Sequence, residues 1–397
     1  MNILFISQFY PDNLLPVFTR KTISGLDYAA HNLNLAILEG FRENGICVDV
    51  LNVPHLGSFP PFYKFPYVEG SLSDDCHVKS LSYINVSYYK RIDINRRLKK
   101  NIKIWCNNTK GEKLILFYNF TGLQILPSIK EMFNDVKACL IVTDLPEFMA
   151  VDNSVPTRIN KFIAKHIIPK DKSYYNAIDG YILLAPGMAE RLPIGGRPWI
   201  HVEGIYNSEC DNIKVEKSTE KVILYTGNLG ERYGIKQLLE AFSMITDPNY
   251  RLWIRGSGEC EKEVSEASKN DSRIVYYPPM SKADLMTLQK KATALINPVF
   301  SSLEFTRYFF PSKTLEYLAS GTPTIMSKLD CIPEDYSPYV YFLSDDSVEA
   351  IKNKMIEVCE KPDYELLAFG HAASSFIRSH KTPFPQVRRI LEFLEQL

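Results

Sequence analysis

Short apolar runs alternate with stretches of helical periodicity along almost all of this 397-residue chain. That alternation restricts it to an α/β fold, because repeated strand and helix units build parallel sheets covered by helices. In the first half the expected strands are Asn2–Ser7, Cys47–Val53, Lys113–Tyr118, Ala138–Thr143 and Gly180–Ala185, with helices over Leu26–Glu43, Leu123–Asn134 and Arg158–Tyr175. Between them Pro54–Ser87 lacks a clear period, and Pro60 to Tyr67 reads as an aromatic loop. A second series gives strands at Val222–Thr226, Arg251–Arg255, Arg273–Tyr277, Ala294–Asn297 and Thr324–Met326. The polar stretch before it suits a linker. Two Rossmann-like domains are therefore expected, residues 1–206 and 221–380, joined by a linker at 207–220. Residues 381–397, with Ile390, Leu391 and Leu394 at helical spacing, form a closing helix that packs back on the N-terminal domain. Two such domains facing across a cleft would bind ligand at the carboxyl ends of their strands.

Composition removes several function classes. The 46 Lys and Arg balance 46 Asp and Glu, so the chain lacks the basic excess of a general nucleic-acid binder. The eight cysteines stand singly, without zinc-ribbon or redox spacing, which fits a reducing, cytoplasmic setting. The apolar run at Met1 to Ser7 reads as a first strand rather than a leader, and no stretch reaches the ~20 apolar residues of a membrane span. Neither Gly-x-Ser-x-Gly nor His-Glu-x-x-His occurs, so hydrolase and zinc-protease readings find no support.

The most informative segment runs from Phe309 to Ile325. Pro311 suits the first position of a helix and Gly321 the left-handed position that ends one. A helix start here would aim the amides of Ser312, Lys313 and Thr314 at an anion. Glu316, one turn in, could accept paired hydroxyls, or could simply favour the helix N-terminus. A second segment, Leu224 to Gly234, reads as a strand end, a glycine-rich turn and a helix, with Arg232 placed to neutralise a diphosphate. Ile254 to Glu259 repeats the pattern, and Gly256 there fits a plain strand-to-helix turn as well as a ligand turn.

These segments, with the Tyr276-Tyr277-Pro278-Pro279 turn, resemble glycosyltransferase family 4 of the GT-B class, in one order across the second half. The first half is similar only through its opening strand, the Ser24-Gly25 turn and Val142-Thr143-Asp144. The resemblance implies a GT-B architecture and retaining transfer of a sugar from a nucleotide-diphosphate donor, a UDP-sugar being the first guess. It places the nucleotide on the second domain and the acceptor, a glycan or lipid-linked glycan, on the first. It implies that Tyr277 and Pro279 present backbone to the base, Glu316 binds ribose, and the amides of Ser312 and Thr314 hold phosphate. Gly227, Asn228 and Arg232 would line the diphosphate, with Gly256 beside them.

The chain also departs from the family pattern. Two glutamates eight positions apart are usual, but the position eight before Glu316 is Tyr308. Glu304 and Arg307 are the substitutes in the same loop for contact with the donor sugar. Thr143-Asp144 stands where a His-Asp pair is common, and Asn228 and Tyr233 replace a usual Arg and Lys. Arg232, Lys313 and Asp144 are left as the catalytic candidates. Helix amides and cations would stabilise the departing diphosphate, and with no Asp-x-Asp present neither a metal nor a further cofactor is expected. Competing readings are a nucleotide-sugar epimerase or hydrolase on the same architecture, and a degenerate protein that binds nucleotide without transfer.

One further stretch breaks the neutral balance. Lys90 to Lys103 carries seven basic residues against Asp93 alone, while Ile94, Leu98, Ile102 and Trp105 share one helical face. From Lys90 to Trp105 it is either a surface helix packing that stripe on its own domain or a basic amphipathic helix on an anionic membrane. The latter would put a cytoplasmic enzyme of surface-polysaccharide assembly at the inner face of the cell membrane. Lys161, Lys165, Lys170 and Lys172 would extend the patch.

Overall fold

The computed structural model describes residues 1–23, 25–73, 77–87, 89–149, 173–207 and 215–397. The helix expected over Arg158–Tyr175 and the four lysines from Lys161 to Lys172 lie almost wholly outside the described residues. The chain divides into two compact units, one of Met1–Ile205 with Pro383–Leu397 and one of Tyr206–Thr382.

The strands of the first unit are β1 (Asn2–Ser7), β2 (Asp49–Asn52), β3 (Tyr67–Val68), β4 (Ser71–Leu72), β5 (Val78–Ser80), β6 (Tyr83–Ile84), β7 (Lys113–Tyr118), β8 (Val136–Val142), β9 (Gly180–Leu183) and β10 (Trp199–His201). Eight form one sheet in the order β10-β9-β8-β7-β1-β2-β5-β4, parallel except where β4 runs against β5. The short pair β3 and β6 falls within Pro54–Ser87, the segment that lacks a clear period. The central strands are apolar on both faces because both are covered: every residue of β7 is buried. The long helix Tyr28–Glu43 lies against the terminal helix Pro383–Leu394, and Gly40 allows the approach. A Cβ at Gly40 would stand 2.6 Å from the Pro383 carbonyl oxygen, closer than any side chain tolerates.

The second unit carries β11 (Lys221–Asn228), β12 (Tyr250–Ser257), β13 (Ile274–Tyr277), β14 (Ala294–Asn297), β15 (Thr324–Met326) and β16 (Tyr341–Phe342). They form an all-parallel sheet in the order β13-β12-β11-β14-β15-β16. On one face Ile223, Tyr225 and Ile254 join the core of Leu238 and Phe242 from the helix Ile235–Ser243, together with Ile351 and Met355 from Val348–Cys359. On the other, Val222, Leu224 and Leu295 pack with Leu288 and Tyr317. The chain leaves β11 for β12 on one side and returns to β14 on the other. That reversal opens a crevice at the strands' carboxyl ends, where parallel sheets bind ligands.

Candidate active site

A pocket of about 400 Å³ occupies that crevice. Its wall includes Thr226, Gly227 and Asn228 from the end of β11, Arg255 from β12, Asn297 from β14, and Pro311, Ser312, Lys313 and Glu316 at the start of the helix Lys313–Ala319. Tyr317 fixes that helix to the sheet: its hydroxyl accepts from the Thr226 amide at 2.8 Å and donates to the Thr226 carbonyl at 3.1 Å.

Lys313 is the charged centre of the pocket. Its amine donates to the Tyr225 hydroxyl at 3.1 Å and stands over the Tyr225 ring at 4.3 Å and the Tyr233 ring at 5.7 Å. A Cβ on Gly227 would lie 2.6 Å from that amine, so glycine at this turn is what lets the lysine reach it. Burial lowers the Lys313 amine to about 7, with Glu316 acting in the opposite sense. Burial also raises the Glu316 carboxyl above its ordinary range, against the pull of Lys282 and Lys313. Both shifts reflect the cost of holding charge away from water, which the neighbouring opposite charges only partly offset. A pocket with one such cation and one such carboxylate suits a ligand carrying both an anion and hydroxyl groups.

The polar floor of the pocket is only partly satisfied. Asn297 is 2% exposed, and neither its carboxamide oxygen nor its nitrogen has a hydrogen-bond partner among the described residues. The same holds for Arg255 Nε, Thr314 Oγ1 and Ser327 Oγ. Buried polar atoms are nearly always paired in folded proteins, so unpaired side-chain atoms on two residues of one wall, Asn297 and Arg255, with Ser327 just past the neighbouring strand β15 and Thr314 in the helix that carries Lys313, single the pocket out. Sequence reading passed over Asn297. The available signal was an amide ending the otherwise apolar run Ala294-Leu295-Ile296.

Residues 208–373 match the family model described as glycosyl transferases group 1. In structure the chain is similar to sucrose-phosphate synthase from Thermosynechococcus elongatus, with a TM-score of 0.64 at 13% identity over 100% of this chain and 99% of that one. The trehalose-6-phosphate structure from E. coli bound with UDP-2-fluoro glucose aligns at TM-score 0.64 and 9% identity, again over 100% and 99%. Anabaena HepE in complex with UDP aligns at 0.60 and 12% over the whole of both chains. The chain has the GT-B glycosyltransferase fold. No curated protein matches it in sequence.

Within this GT-B fold the expected site residues separate. Gly227, Asn228, Ser312, Lys313 and Glu316 meet on the pocket wall. Asn228 Oδ1 accepts from the Gly230 amide at 2.7 Å and so closes its own turn. The helix begins later than expected: Ser312 rather than the residue before Pro311 is its cap, and the Thr314 amide donates to Pro311 O at 2.8 Å. Thr314 therefore cannot offer that amide to a phosphate as the sequence suggested, because a tightened first turn consumes it. Gly321, at φ +75°, does end the helix.

Other expected residues stand off the wall. Arg232, in the turn Glu231–Tyr233, lies over the Phe305 ring at 5.2 Å and reaches the Tyr233 hydroxyl at 3.1 Å. Glu304 is exposed, and Arg307 pairs with Asp330 at 3.4 Å. Tyr277 meets Trp253 edge-on, and Pro279 is exposed beyond it. Gly256 has a packing explanation: a Cβ there would stand 1.9 Å from the Gly227 carbonyl oxygen.

In the first unit Asp144 follows β8 and accepts from Thr143 Oγ1 at 3.1 Å. Burial raises its carboxyl above the usual range, while that hydrogen bond opposes the shift. The basic helix spans Tyr89–Asn108, with Ile94, Leu98 and Ile102 buried in its own unit. Trp105 donates to Asp49 at 2.8 Å. Lys90 is not on the basic surface. It donates to the Leu56 carbonyl, and burial lowers its amine to about 8. Asp93 is buried and accepts from Arg96 at 2.8 Å, Arg97 at 2.7 Å and the Ile84 amide at 2.9 Å. Among the described residues no helix is long and apolar enough to cross a membrane.

Proposed function

We propose that the chain is a retaining, metal-independent glycosyltransferase that moves a sugar from a nucleotide-diphosphate donor, with UDP-sugars the first candidates. The acceptor would be a glycan or lipid-linked glycan in surface-polysaccharide synthesis. The observation that carries this reading is the pairing of Lys313 with Glu316 in one pocket at the carboxyl ends of a parallel sheet, inside the segment matched by the family model. Lys313, with Gly227, Asn228 and the Ser312 amide, would hold the diphosphate. Glu316 would accept the ribose hydroxyls, and the turn at Tyr277 and Pro279 would meet the base. As the sugar–phosphate bond breaks, negative charge grows on the diphosphate, and a cation already desolvated beside it stabilises that change most. Arg232 is assigned to the pocket mouth, and Asp144 to the acceptor side as the second ionisable group.

A panel of nucleotide-diphosphate sugars without added metal tests this by thermal shift, since a ligand that binds only the folded state raises its melting temperature. At least one should give a shift of several degrees, and the absence of any shift sinks the assignment. Tyr308 in place of a carboxylate, with Glu304 and Arg307 off the wall, favours one second reading, nucleotide binding without transfer. Release of free nucleotide only when acceptor is present would exclude it.

The exposed face of the helix Tyr89–Asn108 carries Arg91, Arg96 and Lys100 beside the exposed Ile92 and Ile104. This mixture supports peripheral contact with an anionic membrane and a place at the inner face of the cell membrane. Reversing Arg96 and Lys100 to Glu should abolish sedimentation with phosphatidylglycerol vesicles; unchanged sedimentation removes the proposal.

A further inference from the structure

We infer that Asn297 reads a hydroxyl of the transferred sugar, a role that the sequence resemblance gives to a carboxylate this chain does not have. The inference rests on the donor reading above and adds to it the residue that distinguishes a nucleotide-sugar from the bare nucleotide.

The sheet register supplies the placement. Thr226 pairs with Arg255 and Arg255 with Tyr277, while Asn297 pairs with Met326. Thr226 and Asn297 each lie two residues beyond the paired Leu224 and Leu295. These residues thus form a transverse row at the carboxyl ends, with side chains on the face that carries the helix Lys313–Ala319, since strand residues two apart share a face. Along that row the strand order is fixed: β13, then β12, β11 and β14. The turn assigned to the base ends β13, and the turn assigned to the diphosphate ends β11. Asn297 ends the next strand on the far side, three strand spacings or about 14 Å from β13. A donor laid base-first along this edge therefore brings its sugar to β14.

The chemistry of Asn297 agrees with that position. A carboxamide offers a donor and an acceptor together, and a sugar hydroxyl needs both. Asn228 cannot serve, because its oxygen already closes the Gly230 turn. Asn297 uses neither end, although it is 2% exposed and lines the pocket. Behind it the Ser327 amide donates to the Asn297 carbonyl oxygen at 3.4 Å, and the Ser327 hydroxyl is also buried without a partner. Such groups weaken a fold unless a ligand completes them, so their retention side by side is explained by a polar occupant.

The test compares Asn297→Leu with the unaltered protein by calorimetric titration of UDP-glucose and of UDP, or of the best donor in the panel and its own diphosphate. The expected result is about a tenfold loss of affinity for the nucleotide-sugar, the value of one hydrogen bond forgone, with nucleotide affinity within twofold. The ligand-free variant should melt no lower than the unaltered protein, because an apolar side chain of similar size removes an unpaired buried amide. Ser327→Ala should lose less, in the same direction. Equal loss for both ligands would move Asn297 to the nucleotide, no loss would remove it from recognition, and a lowered melting temperature would make it structural. Each outcome overturns the inference while the donor reading stands. Failure of the unaltered protein to bind any donor overturns both.

Discussion

Two buried asparagines, one in each unit, end a parallel strand at the carboxyl edge of its sheet, and they are used in opposite ways. Asn52 ends β2. Its oxygen accepts from the Phe9 amide at 2.9 Å and from Ser7 Oγ at 3.2 Å, and its nitrogen donates to the Phe9 carbonyl at 2.9 Å and Ser80 Oγ at 2.5 Å. Asn297 ends β14 with none of these valences filled among the described residues. The neighbourhoods follow suit. Beside Asn52 the Gln8 amide donates to Asn34, and Asn119 and Thr143 bond each other through both side chain and backbone. Near Asn297, Arg255 Nε on the same pocket wall and the Ser327 hydroxyl are also unfilled, while Thr314 Oγ1 and Gln237 Oε1 are unfilled elsewhere in the second unit. Two of the first unit's own buried side-chain atoms, Asn85 Oδ1 and Tyr181 OH, also lack partners, but neither lies at this edge. A saturated polar edge holds loops in place; an unsaturated one is built for something that is not protein.

The sharpest way to break this comparison is to cut the saturated side. Asn52→Ala removes a hub of four hydrogen bonds and leaves the Phe9 backbone groups buried and unpaired. It should cost about 3 kcal/mol of stability, since each stranded buried group costs ~1–3 kcal/mol, and it should leave donor affinity unchanged in the fraction that folds. Chemical denaturation together with calorimetry checks both halves. If Asn52→Ala lost little stability while Asn297→Leu lost much, the assignment of scaffold and site would be reversed.

The same contrast explains how much the sequence disclosed. Alternation of apolar runs with helical stretches placed the sheet cores well, and Ala294–Asn297 and Thr324–Met326 have the bounds expected for them, because apolar period depends on neighbours along the chain. The GT-B fold was legible from Tyr225–Gly234 and Phe310–Pro323, where turn and helix chemistry is local. Asn52 and Asn297, however, look alike in sequence: each is an amide that follows apolar strand residues. What separates them is whether Ser7, Phe9 and Ser80 come round to meet the side chain, and that is a property of strand order. Sequence alone counts Lys90 on the basic surface for a related reason, and it hides the polar partner of Trp105 equally. Helical spacing tells which residues share a face, but the Leu56 carbonyl and the Asp49 carboxylate that receive Lys90 and Trp105 lie far off in sequence.

Which cation serves the unsaturated edge is a finer question, because Lys313 and Arg232 were both expected to. Lys313 stands in the wall and Arg232 lies over Phe305, so Lys313→Gln should weaken nucleotide-diphosphate binding roughly 30-fold, in line with losing a charge-assisted contact of about 2 kcal/mol. Arg232→Ala should change it less than threefold, because an exposed charge is screened by solvent. Equal losses would mean that the turn at Glu231–Tyr233 closes over the ligand. The pH dependence separates the two further. The Lys313 amine, lowered to about 7 in the free protein, is raised again by an anion placed beside it, so binding takes up a proton above that pH. Affinity should therefore be level below pH 7 and fall by up to tenfold per unit as pH rises beyond it, the limit for one linked proton. In Lys313→Gln that slope should vanish, whereas Arg232→Ala should keep it because a guanidinium stays charged throughout. A slope that survived in Lys313→Gln would assign the proton to another group and leave the lysine as packing for the Tyr225 and Tyr233 rings.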